Sequence, residues 1–200
     1  MTIAALRTLC SQIPWCEPDV LESALELALE IAREGREGRR IGTLFTVGKA
    51  DAVLAASRAL ILDPLAGHAP SRTHIADPDL RGTMKELAQL DGAFVISEAG
   101  IVVAACRYLD ASVEQIELPL GFGSRHLAAA SISKSLGALA IVVSESGVVR
   151  VFHGGQIQAT LIPELWLLDR HHTQLSAAAA GAVEAQRLGT VPLSLSEANG

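Results

Sequence analysis

The chain has 200 residues, half of them hydrophobic, with a mean hydropathy of +0.34. That suffices for one domain burying roughly 70% of its unfolded surface and is too apolar for a disordered segment. Twenty-two acidic against sixteen basic residues leave a net charge of −6, which argues against a non-specific nucleic-acid binder, whose footprint is a basic surface.

No uncharged apolar run approaches the roughly 18–20 residues of a membrane span, because Glu98 and Glu145 interrupt the two richest stretches. The start lacks the basic and apolar regions of a secretory signal. Cys10, Cys16 and Cys106 form no CxxC pair and fit a reducing compartment. The expectation is a soluble, cytoplasmic globular domain.

From Glu17 to Arg33, Val20, Leu21, Ala24, Leu25, Ala28 and Ile31 recur at helical spacing, and Glu22, Glu26 and Glu30 fill an opposite face. Pro18 suits the first turn, and Gly35 and Gly38 end the helix. The Arg-rich piece from Arg33 to Arg40 reads as a solvated helix end beside the C-terminal dipole rather than as a phosphate site. Ile41 to Val47 follows as a strand, Ala50 to Arg58 as a short helix, and Ala59 to Leu62 as a strand running into the turn Asp63-Pro64. Gly67 to Ser71 reads as a loop. Asp77 caps a helix with Pro78 at its first position, running to about Leu90 and burying Leu80, Met84, Leu87 and Ala88.

Phe94 to Ala104 and Ala140 to Val151 are each two apolar runs joined by a short turn containing Gly, the pattern of a hairpin. Between them, Gly121-Phe-Gly-Ser-Arg-His126 opens an Ala-rich helix to about Leu136, with Ser124 in N-cap position. Interspersed helices and near-continuous apolar strands predict an α/β domain with a central mixed β-sheet flanked by helices. The organisation expected is a helical segment over 1–40, a domain over 41–175, and a weakly patterned tail over 176–200 that packs as a last helix or frays. No tandem repeat is present.

Three segments could carry chemistry. The glycines before the third-quarter helix expose backbone N–H groups that attract phosphate oxygens, helped by the helix dipole. Arg125 adds a forked cation and His126 a donor, although the same residues also read as an ordinary capped helix. Asp91-Gly92-Ala93, between a helix and a strand, is turn chemistry or a carboxylate placed to hold a metal or take a proton. Ser144-Glu145-Ser146-Gly147 is a polar hairpin turn, or a source of hydroxyls for phosphate and a carboxylate for metal. The histidines show no zinc-like spacing, and no GxSxG, HExxH, GxGxxG or Walker A motif is present.

Taken in order, Asp91-Gly-Ala, Ala104-Ala-Cys-Arg-Tyr-Leu109, Gly123-Ser-Arg-His126-Leu-Ala-Ala and Val143-Ser-Glu-Ser146 closely resemble the diadenylate cyclase (DAC) domain family, marked by a DGA motif and a G-[TS]-R-H-R-A-A motif. The resemblance runs from about Ile41 to Ile157. Gly42-Thr-Leu-Phe-Thr-Val-Gly48 and Leu60-Ile-Leu-Asp-Pro-Leu65 look like its soluble, archaeal-type branch. It implies the DAC-domain fold and synthesis of cyclic di-AMP from two ATP, releasing two pyrophosphates, with divalent metal (Mn²⁺ or Mg²⁺) assisting each 3′-hydroxyl. On this chain the family's roles fall to Asp91 as catalytic residue and metal ligand, with Glu145 a further candidate ligand. Gly92, Ala93, Gly123, Ser124, Arg125, His126, Ser144 and Ser146 would bind ATP, with Tyr108 and Leu109 lining the adenine pocket. A homodimer or larger homo-oligomer is implied, because each domain holds one ATP. The sequence departs from the family at Leu127, where the motif has Arg. That departure motivates the alternative of a catalytically silent nucleotide-binding regulatory paralogue.

Overall fold

The computed structural model describes residues 3–110, 116 and 118–168. Helices α1 (Ile3–Ser11) and α2 (Pro18–Glu34) precede strand β1 (Thr43–Val47), helix α3 (Ala50–Ala55) and strand β2 (Ser57–Ala59). Then come α4 (Pro78–Leu87), β3 (Ala93–Ile96), β4 (Val102–Leu109), α5 (Ser124–Leu136), β5 (Leu139–Val143), β6 (Val149–His153) and β7 (Gln156–Leu161). The strands form one seven-stranded sheet in the order β2-β4-β3-β1-β5-β6-β7. Only β1 and β3 run parallel; every other neighbouring pair is antiparallel. This is the mixed sheet that the patterning predicts.

Alternation along the strands assigns the two faces. Phe45, Val47, Phe94, Ile96, Ile141 and Val143 point to the layer of α1, α2 and α4. Leu44, Val95, Ala140, Val142 and Phe152 point to α3 and α5. The nine residues of α2 that are buried explain why it is continuous with this core. An ion-pair ladder ties α2 to α4 along the rim, Arg81 to Glu26 and Glu30, and Lys85 to Glu30 and Glu34. Asp77 caps α4, its Oδ1 accepting from the N–H groups of Asp79 and Leu80 at 2.8 and 3.3 Å.

Several expectations need correction. The strand expected over Ala59 to Leu62 lies at Ser57–Ala59, and Leu62 is 94% exposed. Pairing stops because the Asp63 carboxylate accepts the Ala105 N–H at 3.2 Å, replacing the next ladder bond. The helices expected to reach Arg58 and Leu90 end at Ala55 and Leu87. Gly123, not Ser124, caps α5, and no side chain supplies the cap bond. Cys10 and Cys16 do not stay reduced thiols. The turn after α1 (Ile13 N–H to Cys10 O, Cys16 N–H to Ile13 O) brings their Cα atoms to 5.3 Å and they form a disulfide, leaving Cys106 free and buried. Strand β7 and helix α1 add to the expected elements. The tail over 176–200 lies outside the described residues, among which no helix is long and apolar enough to cross a membrane.

Candidate functional site

One end of the sheet gathers the predicted residues. Because β1 and β3 are parallel and flanked by antiparallel β5 and β4, the starts of β1 and β3 lie beside the ends of β4 and β5. The register sets Ala93 opposite Arg107 and Thr43 opposite Val143. The Asp91-Gly92 turn, Tyr108-Leu109, the β5–β6 turn and the start of α5 therefore converge there.

Two adjoining clefts result. The first, about 210 Å³, is lined by Asp91, Gly92, Ala93, Tyr108, Leu109, Ser124, Arg125 and Leu127 among others. The second, about 220 Å³, is lined by Gly121, Gly123, Ser124, Arg125, His126, Ser144 and Glu145 with Val142 and Val143. Ser124 and Arg125 belong to both and form the wall between them. The first cleft has an apolar floor and the Tyr108 ring; the second is ringed by hydroxyls, a helix start and polar turns. That pairing suits a ligand with a flat apolar end and an anionic end.

Arg125 is the hinge of the arrangement. Its Nη2 donates to Asp91 Oδ1 at 3.3 Å and its Nη1 to Glu145 Oε1 at 3.4 Å. Both carboxylates are exposed, so these long contacts are weak and exchangeable. The Asp91 Oδ1 also accepts the Gly92 N–H at 3.0 Å, which fixes the carboxylate at the mouth of β3. Gly42, part of the flank that carries the resemblance, leaves room beside this cluster. A Cβ there would come within 2.9 Å of Arg125 Nη1 and 3.2 Å of Glu145 Cγ.

The fit to a divalent cation rests on this donor set. Two hard carboxylates already converge on one cation, and Mg²⁺ or Mn²⁺ is commonly held by one or two carboxylates plus substrate phosphates. No group of three or more potential protein ligands occurs among the described residues, so the ion would need phosphate oxygens to complete its shell.

His126 is buried, at 7% exposure, among Phe122, Phe152 and Arg150. Burial, then the positive charges of Arg150 and Arg125, push its pKa down to about 4. The ring is thus neutral at physiological pH, and the unfolded chain, with an ordinary histidine near 6.5, binds the extra proton between those values. Stability from this group is complete above pH 6.5 and is lost as pH falls toward 4. Denaturant midpoints at pH 7 and 4.5 should show a loss on the order of 2 kcal/mol more for the native protein than for His126→Gln. Equal losses would contradict the assignment.

Ser144 lines the second cleft, whereas Ser146 does not; its hydroxyl donates to Ser144 Oγ at 2.9 Å and so orients that residue. Tyr108 is half exposed, and the Arg58 guanidinium lies 4.4 Å from its ring centroid. Arg107, to which the sequence reading gives no role, lines the first cleft and donates from Nη2 to the Ser57 carbonyl at 2.8 Å, holding β2 to β4. Arg40 donates to the Ser146 carbonyl at 3.2 Å and packs across Gly147, so one Arg of the basic run braces the β5–β6 turn.

Comparison with known proteins accords with the geometry. The profile of the DisA bacterial checkpoint controller nucleotide-binding (DAC) family matches residues 30–157. A diadenylate cyclase of Methanocaldococcus jannaschii is 49% identical over 138 residues, covering 68% of this chain and 43% of that protein. A diadenylate cyclase of Haloferax volcanii is 40% identical over 151 residues, covering 75% and 55%. The chain thus spans about half the length of these curated relatives. A crystal structure described as a hypothetical membrane-spanning protein from Bacillus cereus shares the fold. Its TM-score is 0.50 at 22% identity, with 70% of this chain and 62% of that chain covered.

Proposed function

The chain belongs to the DisA-type nucleotide-binding (DAC) domain family, and from that premise we propose that it is a diadenylate cyclase, condensing two ATP into cyclic di-AMP with release of two pyrophosphates. The observation that carries this reading is the Asp91–Arg125–Glu145 cluster standing between an apolar cleft and a cleft at a helix start. Adenine fits the first cleft, against Tyr108 and Leu109. The triphosphate fits the second, on the backbone N–H groups of α5 and the side chains of Ser124, Arg125, His126 and Ser144.

In each half-reaction a ribose 3′-oxygen bonds to the α-phosphorus of the other ATP, and the bond from that phosphorus to the pyrophosphate oxygen breaks. The hydroxyl proton passes to the Asp91 carboxylate. Such a displacement asks mainly for positioning and charge neutralisation. A divalent ion held by Asp91, Glu145 and phosphate oxygens would supply charge neutralisation at the transferring phosphoryl group. When triphosphate enters, Arg125 has a better bidentate partner than two exposed carboxylates and leaves them for it.

The two reacting nucleotides must face each other, so a second copy brings the second ATP. The exposed apolar residues Leu60, Ile61 and Leu62, beside the first cleft, support a homodimer or larger assembly meeting on that side. We take residues 41–175 as the catalytic domain, 1–40 as its helical cover and 176–200 as a tail.

Incubating the protein with ATP and Mn²⁺ or Mg²⁺ and resolving nucleotides by mass spectrometry should yield cyclic di-AMP. ATP returned unchanged by a folded, ATP-binding protein would favour the silent paralogue instead, the reading that Leu127 motivates. Leu127 lines the first cleft, where the adenine is placed, and not the second. That placement favours a tolerated variation over a lost phosphate contact. Leu127→Arg should alter apparent ATP affinity less than tenfold by calorimetry, about 1.4 kcal/mol. A larger gain would mean that the native site lacks a cation it needs.

A further inference from the structure

A group outside the motifs governs one inside them. Arg150, on β6, donates from Nη1 to His126 Nε2 at 3.2 Å, and its guanidinium carbon lies 4.8 Å from the Phe122 ring centroid. Arginine has donors only and stays charged, so the histidine nitrogen it meets must offer a lone pair. The ring proton then sits on Nδ1. Phe122 stands between Gly121 and Gly123, just before α5, and its ring lies 4.7 Å from that of His126. The same guanidinium therefore grips both the loop and the first turn of the helix that walls the second cleft.

We propose that Arg150 is a positioning residue that locks His126 as the neutral, Nδ1-protonated tautomer and clamps Phe122, fixing the start of α5 for an anionic ligand. What concerns ATP here rests on the reading above; the tautomer does not. The groups that face the ring are Arg150 and Phe152 from β6, Phe122 from the loop and Arg125 from its own helix. Burial withholds water from a charged ring, and the two cations repel it, in keeping with the lowered pKa. The consequence is a ring at the wall of the second cleft whose protonation state does not change across physiological pH.

Long-range proton–nitrogen NMR of the ligand-free protein reads the tautomer directly. The native His126 should show Nδ1 protonated from pH 5.5 to 8. Arg150→Met keeps length and apolar contact but removes the donor, and should give mixed tautomers and a ring that titrates above the native one, while burial and Arg125 still hold it below the ordinary histidine value. Arg150→Lys keeps a donor and should restore the native signature. In parallel, the ratio of ATP dissociation constants between Arg150→Met and native protein, which cancels the titration of ATP itself, should fall by about twofold or more from pH 7.5 to 5.5 as part of the freed ring population gains charge. A native ring protonated on Nε2, or titrating near 6.5, would overturn the proposal even if the Met variant does not fold. So would a Met variant with the native tautomer and a pH-independent ratio. A protein with the predicted tautomer that makes no cyclic product would instead count against the cyclase reading alone.

Discussion

Asp91→Asn should abolish cyclic di-AMP synthesis while ATP still binds. Asn is the same shape and can keep the bond from the Gly92 N–H, made at 3.0 Å in the native protein, so the turn into β3 is undisturbed. What disappears is the negative charge at the mouth of β3, and with it both a proton acceptor for the 3′-hydroxyl and a hard ligand for a divalent ion. Loss of general-base help alone lowers turnover by about 10²–10⁴-fold. In the proposed placement ATP rests on the helix start and the two clefts, and Arg125 released from Asp91 keeps its contact to Glu145 at 3.4 Å. Dissociation constants should therefore stay within about threefold, a change below 1 kcal/mol. Initial rates by mass spectrometry, together with calorimetry, check both halves. A variant cyclising at the native rate would remove Asp91 from the chemistry, and one that lost ATP would make it a binding residue.

The parts of the molecule legible in the sequence are those governed by local rules. Pro18 and Asp77 announced α2 and α4 because capping and the first-turn preference of proline act within a few residues. The two hairpins were legible because their turns are short and their flanking runs apolar. The run from Leu60 to Leu62 was misread as a strand for the opposite reason. Its fate is decided by Asp63 reaching Ala105, a contact 42 residues distant that no window on the chain contains. Strand β7, Gln156-Ile-Gln-Ala-Thr-Leu161, alternates polar and apolar residues as an edge strand should, and the signal went unused. The disulfide was hidden because its formation depends on the turn geometry after α1.

The site divides the same way. Its motif residues are legible, but the supporting roles are not: Gly42 and Arg107 stand in segments that carry the resemblance without any role assigned, and Arg150 stands outside them until the sheet places it. Arg150 in particular lies 24 residues from His126, and only the antiparallel pairing of β5 with β6 beneath α5 brings the two together. The motif thus names groups that line the two clefts, while the sheet selects the groups that orient them.

Gly92 is the position where fold and site depend on the same atom, and Gly92→Ala is the second large expected effect. Its φ is +107°, a conformation that side chains rarely adopt, and an added Cβ would come within 2.6 Å of the Cys106 carbonyl carbon and 2.8 Å of the Arg107 nitrogen. Both obstacles are backbone of β4, in a bulged stretch where the β3–β4 register shifts and Cys106 itself has a φ of +53°, so neither yields by a rotamer change. The glycine that the motif reading reserves for an approach to nucleotide is first required for this approach of β3 to β4. Backbone strain of about 1–3 kcal/mol and overpacking of about 1–3 kcal/mol together predict a melting temperature lowered by about 5–15 °C for a domain of this size. Because Asp91 is the preceding residue, relief of the clash moves the carboxylate, and turnover should fall by about 10²-fold or more. Gly82→Ala supplies the contrast. Gly82 sits in α4 with nothing within 4 Å of an added Cβ, so the same chemical change should leave activity intact and raise stability by about 0.5–1 kcal/mol. Thermal melts and cyclase rates of the two variants side by side decide the matter. A Gly92→Ala protein melting with the native one would show that β4 gives way at the bulge, and that the close approach does not constrain the site.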